Sequence, residues 1–479
     1  MKILEKNKIG NRWASFAIRC GLTAVTVFGA VTMAGAEPTE VSSFGELQGA
    51  ISTGKTEIAI KNTINFTADG PVINYSNIVI SGPSENAPGL LNGGNNRKLL
   101  IFGESAKNIL LKNLHFNGGH DSRPKFIFGE TNPEAGGGAI NLRKGTEAIL
   151  ENITFSNSQT ATDGGAIYSR GINSSNRNSL NFTGKTTFDG NKTIGTIGSG
   201  GAIYAENSSL TFGGLATFRG NNSTFGGGAI CGYHGTKLTF GGDVTFTGNS
   251  SFLNGGAICS LGVNATNKNI LEFEGNATFV GNSVTEVSNG DGGAIFVRDS
   301  SLTFGGLATF ENNKTRFCGA IFASGSASIE FNNGLILIEN TTNGTNSGAL
   351  HMNGSENEPA IITLIQKNPL VPTEFRGNTS GGDGGHNAVY MAEYSQLNLT
   401  AHDGSIDIFD DFSGNREGPD NIITIYKGEG WLNIEKSGSI ENVKVVNGGN
   451  LNLAGESRGF NLIDFTNSGT IRFEILSGE

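Results

Sequence analysis

The amino-acid sequence predicts an all-β fold, a right-handed parallel β-helix (solenoid) with about 27 residues per coil. Three observations carry this. Gly-Gly-Ala-Ile recurs at near-regular spacing; it alternates with Phe-x-x-Asn; and no stretch after residue 36 sustains the apolar i, i+3, i+4, i+7 spacing of a helix for three turns without glycine.

Complete copies of Gly-Gly-Ala-Ile begin at Gly137, Gly164, Gly200, Gly227, Gly255 and Gly292, and degenerate copies at Cys318, Ser347 and His386. The numbers of successive starts differ by 27, 36, 27, 28, 37, 26, 29 and 39, a base unit near 27 with insertions. Between them, Phe-x-x-Asn pairs Phe188 with Asn191, Phe218 with Asn221, Phe246 with Asn249, Phe279 with Asn282, Phe310 with Asn313, Phe375 with Asn378 and Phe412 with Asn415. A third segment, Ser208 to Phe218, returns unchanged at Ser300 to Phe310, so duplication built the chain.

Each unit reads as three short strands, at Ala-Ile-aromatic, Leu-Thr-Phe and Ala/Val-Thr-Phe, punctuated by glycine and asparagine. Coils stacked about 4.8 Å apart align equivalent residues. The phenylalanines from Phe188 to Phe310 should form one internal ladder and their asparagine partners another at the turn. The paired glycines suit corners that need positive φ or close backbone approach. A propeller blade takes about 40 residues and four strands, too long for this unit.

Residues 1–36 read as a signal peptide. Lys2, Lys6, Lys8, Arg12 and Arg19 precede an uncharged stretch from Cys20 to Ala34-Gly35-Ala36, with cleavage expected after Ala36. That stretch is shorter than the roughly 20 apolar residues of a membrane span. Residues 37–110 read as cap and opening coils, with Phe44–Ile51 a short amphipathic helix covering edges that a terminal coil would leave unpaired. Residues 111–395 carry the repeats. Residues 396–479 continue the coil without Gly-Gly-Ala-Ile, through strands at 422–426, 431–434, 443–446, 451–453 and 471–475.

Composition narrows the class further. The chain has 73 Gly and only 16% charged residues, yet 31 Phe supply apolar surface for a continuous core, unlike a disordered chain. Removing the leader's net +4 from the total of −10 leaves −14. So acidic a surface excludes nucleic acid as the expected partner and disfavours anionic membranes. Beyond residue 36 the cysteines are Cys231, Cys259 and Cys318, an odd number and no disulfide scaffold.

On both motifs and their alternation, residues 110 to 420 resemble the polymorphic membrane proteins of chlamydiae and related autotransporter passengers, which repeat Gly-Gly-Ala-Ile/Leu/Val and Phe-x-x-Asn. The resemblance implies a secreted or outer-membrane, cell-surface adhesin with a role in virulence, its partner a host-cell surface protein or glycan. It further implies an adhesive repeat made of Gly164, Gly165, Ala166, Ile167, Phe188, Asn191, Gly200, Gly201, Phe218, Asn221, Gly227, Gly228, Phe246, Asn249, Gly255, Gly256, Phe279, Asn282, Gly292, Gly293, Phe310, Asn313, Phe375 and Asn378. Family members are carried by a C-terminal β-barrel. The alternating strands of such a barrel are absent from this sequence, and its cysteines are fewer than in many members, which leaves anchoring and cross-linking open.

The rival function for a parallel β-helix is polysaccharide cleavage, which needs carboxylates converging within about 5 to 10 Å. The candidates are Asp410-Asp411, expected to point to opposite faces, and two His-Asp pairs, His402-Asp403 and His120-Asp121, for which no basic or acidic partner is expected in neighbouring coils. No catalytic, cofactor or metal site is expected from them. Asp163, Asp291 and Asp383 precede Gly-Gly, but Ser199, Gly226 and Asn254 interrupt the column, so turn-capping outweighs calcium binding. Cys231 and Cys259 share one slot in consecutive coils and are expected as stacked small apolar residues, with a disulfide as the alternative. Tyr168, Tyr204, Phe296 and Phe322 fill the same slot, as a contact stripe if outward and as core if inward. Asn-x-Ser/Thr triplets abound with the composition and establish no glycosylation. The expected function is therefore adhesin, with enzyme and structural spacer as alternatives.

Overall fold

β-Branched and aromatic segments of four or five residues, broken by glycine corners, wind into a parallel β-helix in which each strand pairs with its equivalent one coil away. The computed structural model describes residues 37–473 except 105, 125, 128–129, 132–134, 286–289, 345–347, 382–384, 416–420, 436–437, 454–458 and 463. The leader and Ala36 lie outside the described residues, as do Ser347 and Asp383.

A coil has three faces. The first holds two strands, for example Ser208–Phe212 and Ala216–Arg219; the second holds the Ala-Ile strand, Ile203–Glu206. The third is a two-residue strand just after the asparagine, Asn222–Ser223. The sequence predicts three strands per unit and the fold has four. Leu-Thr-Phe and Ala-Thr-Phe share one face, and the closing face, two residues long and mostly polar, carries no apolar alternation by which it could be seen.

The cap forms as expected. Ser43 accepts a hydrogen bond from the Glu46 amide and starts a helix at Phe44–Ser52, which buries Phe44, Leu47, Ala50 and Ile51 against the first coil. At the other end, strands at Ile422–Ile425, Trp431–Ile434, Lys444–Asn447, Asn450–Leu453 and Thr470–Phe473 continue the stack. Those coils are smaller, Val445 already pairing with Phe465, and the last described third-face strand is Thr379–Ser380. The repeat length read from Gly-Gly-Ala-Ile therefore belongs to the central coils.

A longer period is superposed. Gly171, Gly262 and Gly354, evenly spaced along the chain, each open a loop at the corner after the Ala-Ile strand, in every third coil. The tips close alike, with Asn173 bonded to Asn176, Asn264 to Asn267 and Ser355 to Glu358. Arg177 Nε donates to Gly235 O at 2.6 Å, and Lys268 reaches Ser326 O in the equivalent way. The duplicated unit is thus three coils, of which the identical Ser208–Phe218 and Ser300–Phe310 segments are one part.

Candidate functional site

Within the core, the phenylalanine ladder runs as predicted. Phe188, Phe218, Phe246, Phe279 and Phe310 are fully buried, with ring centroids 4.7–4.9 Å apart and nearly parallel planes. A second ladder, from Phe182 to Phe331, meets the first edge-to-face, as between Phe240 and Phe246 at 6.0 Å and 81°.

The asparagines form a continuous amide column. Asn221 Nδ2 donates to Asn249 Oδ1 at 2.9 Å and to Phe188 O in the preceding coil at 3.0 Å; its own Oδ1 accepts from the N and Nδ2 of Asn191. Every amide bond of the side chain is thereby satisfied in the buried interior. Asn191, Asn221, Asn249, Asn282, Asn313 and Asn378 are all fully buried. Asn340 belongs to the column too, but Leu337 stands where its coil would have phenylalanine, so the motif hid it; its spacing of 27 from Asn313 was the available signal.

The column ends on a carboxylate. Asp410, 1% exposed, accepts from the N and Nδ2 of Asn378 and from the Gly377 amide. The sequence instead suggests Phe412-x-x-Asn415 as the next motif. In the structure Phe412 pairs with Val389 and Ile440, in the slot of the Ala-Ile strand, because the coil shortens there.

The Gly-Gly-Ala-Ile residues are equally interior. Gly200 has φ +67, and a Cβ on Gly201 would lie 2.1 Å from the Gly228 carbonyl oxygen one coil on. The first glycine serves the corner's left-handed backbone, the second the coil-to-coil approach. Ala166 and Ile167 sit in the main core, and Gly164, Gly165, Gly227, Gly228, Gly255, Gly256, Gly292 and Gly293 are corners, all buried. The asparagines and glycines expected as the adhesive repeat are therefore interior, which corrects their expected role as contact residues: they frame the rod. Phe375 likewise lies inside, paired with Leu337 and Ile408.

What the turns expose is the x-x pair and the residue after asparagine. Arg219, Gly248, Gly281, Glu311, Lys192 and Lys314 are exposed in successive coils, and Arg219 Nη2 pairs with Asp189 Oδ2 of the adjacent coil at 2.5 Å. From Asn191 to Asn313 the residue before each asparagine has φ between +56 and +63, which explains the frequent glycine there.

The aromatic slot is neither stripe nor main core. Tyr168, Tyr204, Cys231, Cys259, Phe296, Cys318 and Phe322 form a separate cluster on the outer side of the Ala-Ile face. The segment before Gly-Gly folds over it, so that a Cβ on Gly136 would strike the Tyr168 ring at 2.7 Å. Burial pushes the Tyr168 hydroxyl up to about 12. Cys231 and Cys259 are in register, buried and free, and contact between the two thiols together with burial raises Cys231 well above its ordinary value.

The carboxylate candidates are scattered. Asp411 Oδ1 accepts from Ser439 at 2.8 Å, while Asp410 faces the column. His402 and Asp403 lie 3.5 Å apart, both largely exposed. His120-Asp121 departs from expectation: Lys98, fully buried, pairs with Asp121 at 3.0 Å, and Arg123 Nε donates to it at 2.8 Å. Lys98 precedes the regular repeat, so no spacing announced it; burial lowers its ammonium to about 8 against the pull of Asp121. Asp163 Oδ1 accepts from the Ser199 amide, a turn-capping role as expected, whereas burial raises Asp291 to about 7.

These features define the class: a repeat-built β-helical rod with an aromatic and amide interior and a polar column of turns outside. The family model for the Chlamydia polymorphic membrane protein repeat matches residues 185–206 and 243–261, which supports assignment of the chain to a Pmp-like family. Both stretches join a Phe-x-x-Asn turn to the following Gly-Gly-Ala-Ile corner. No curated protein and no solved structure matches the chain.

Proposed function

We propose that the chain is an exported, surface-displayed passenger, at the outer membrane or secreted, that adheres to a host-cell surface protein or glycan. The observation that carries this is the column of turn residues at coil spacing, Arg219 and Glu311 exposed and Thr247 and Val280 part-exposed, held rigid by the buried asparagines. Side chains that differ from coil to coil, Arg219, Thr247, Val280 and Glu311, stand on an invariant frame. Many weak contacts along one edge then add by multivalency.

The reading is non-enzymatic. The buried carboxylates are engaged in structure, Asp410 at the end of the amide column and Asp121 with Lys98 and Arg123. A purely structural spacer would have the same interior and be indifferent to its turn residues.

The test is binding of the purified chain from residue 37 onward to host cells, with Arg219, Thr247, Val280 and Glu311 changed to serine singly and together. Singles should lose little and the quadruple variant at least about tenfold, at an unchanged unfolding midpoint. Undiminished binding by the quadruple variant would sink the adhesive column and leave the spacer.

A further inference from the structure

At the start of the repeat array, one strand leaves the ladder. Pairing between Gly89–Arg97 and Ile109–Asp121 jumps from Asn92↔Asn117 to Arg97↔Gly119, so the intervening residues bulge outward as Gly93-Gly94-Asn95-Asn96. Gly94 and Asn95 both take left-handed backbone, φ +58 and +60, and Gly118 does so beneath them. A Cβ on Gly118 would meet Asn95 Oδ1 at 2.9 Å, so the overhang is packed against the turn column. A left-handed non-glycine residue here is strain held by its surroundings.

Under this overhang lies a pocket of about 200 Å³ whose side-chain lining is Asn95, Asn117, Asn157, Gln159 and Lys192, the rest being glycine. Its lining is amide, glycine backbone and one cation, with no apolar side chain and no carboxylate. Asn157 Nδ2 donates to Asn117 Oδ1 at 3.1 Å, and Gln159 Nε2 to Asn95 O at 3.3 Å. Both amides thus use their nitrogens within the protein and keep their oxygens as acceptors for a ligand. Lys192 is the neighbour of Gln159 on the third face and is exposed.

We propose that this pocket binds one acidic sugar residue, of the uronic or sialic class, as borne by a glycan. Hydroxyl groups would donate to Asn157 Oδ1 and Gln159 Oε1, and the carboxylate would meet the Lys192 ammonium in a charge-assisted hydrogen bond. An apolar ligand finds no surface there. A neutral sugar forgoes the only charge. Lys192 belongs to the turn column, but the pocket's other polar side chains do not depend on the adhesive variants, which lie in later coils, so the two readings fail separately.

The test is a calorimetric titration of the purified chain from residue 37 onward with methyl β-glucuronide and, separately, methyl β-glucoside. The glucuronide should saturate one site and bind at least about tenfold tighter than the glucoside. Lys192→Gln should erase that preference, and Asn95→Gly, which keeps the left-handed backbone, should weaken the glucuronide at least about threefold. Lys314→Gln, at the equivalent third-face position of a later coil, should change nothing. Absence of saturable binding, equal affinity for the two glycosides, or retention of glucuronide affinity in Lys192→Gln or Asn95→Gly overturns the site, provided circular dichroism shows each variant folded.

Discussion

Two titratable side chains, buried His351 and part-buried Asp291, give the rod a pH response with opposing signs. His351 fills the aromatic slot between Phe322 and Tyr390, and burial lowers its pKa from 6.5 to about 4. The unfolded chain binds that proton more readily, so the stability it contributes is present above about 6.5 and is lost as pH falls toward 4. Asp291 runs the other way: with its pKa raised from 3.8 to about 7, the folded chain holds the proton more tightly, and stability falls as pH rises from about 4 to 7. We expect Asp291→Asn to raise the unfolding midpoint at pH 8 and leave it nearly unchanged at pH 3. His351→Phe should remove the acid-side decline between pH 6.5 and 4. Midpoints measured across pH 3–8 check both; an Asp291→Asn gain equal at pH 3 and pH 8 would contradict the burial argument. Neither shift was legible in the sequence, because burial of a slot is a property of the segment folded over it.

At the scale of the repeat, ladders do the stabilising. Phe246→Ala should cost about 3 to 5 kcal/mol, since neighbours fixed by stacking above and below cannot collapse into the cavity. Asn249→Ala should cost about 3 kcal/mol as well, because it strands the Asn221 amide donors and the Phe218 carbonyl inside the wall. Chemical denaturation reads both, and an Asn249→Ala loss below about 1 kcal/mol would mean water replaces the amide column. The pairing of Phe with Asn was legible because both recur at fixed separation. Asn340 and Asp410 were not, since each keeps the column's chemistry while its coil drops the phenylalanine or the asparagine. The two-residue third face, too short for alternation, was equally silent.

For the whole molecule, the three-coil period implies modularity, since each coil contacts mainly its neighbours. Deleting residues 164–254 joins Asp163 to Gly255, its equivalent continuation one unit later. The shortened chain should fold with the same circular dichroism shape and lose about 14 Å of length by small-angle scattering, three coils at about 4.8 Å each. A deletion of half a coil should instead abolish cooperative unfolding, because it rotates every later side chain out of its ladder. If both deletions behave alike, the repeat is not the folding unit.

The sequence by itself determined the coil, the phenylalanine and asparagine ladders, the helical cap at Phe44 and the likeness to a family of repeats, because stacking forces equivalent residues to recur. The tertiary structure decided what those residues are available for. Asn221 and Gly201 recur because the interior needs them, so the strongest signal in the sequence marks the frame, and the surface falls to residues such as Arg219 and Thr247 that vary between coils. It also decided that the Tyr168 column lies under a covering segment, that Lys98 meets Asp121, and that the bulge at Gly93–Asn96 overhangs Lys192. Each of these joins segments whose separation follows no repeat, and only the folded backbone brings them together.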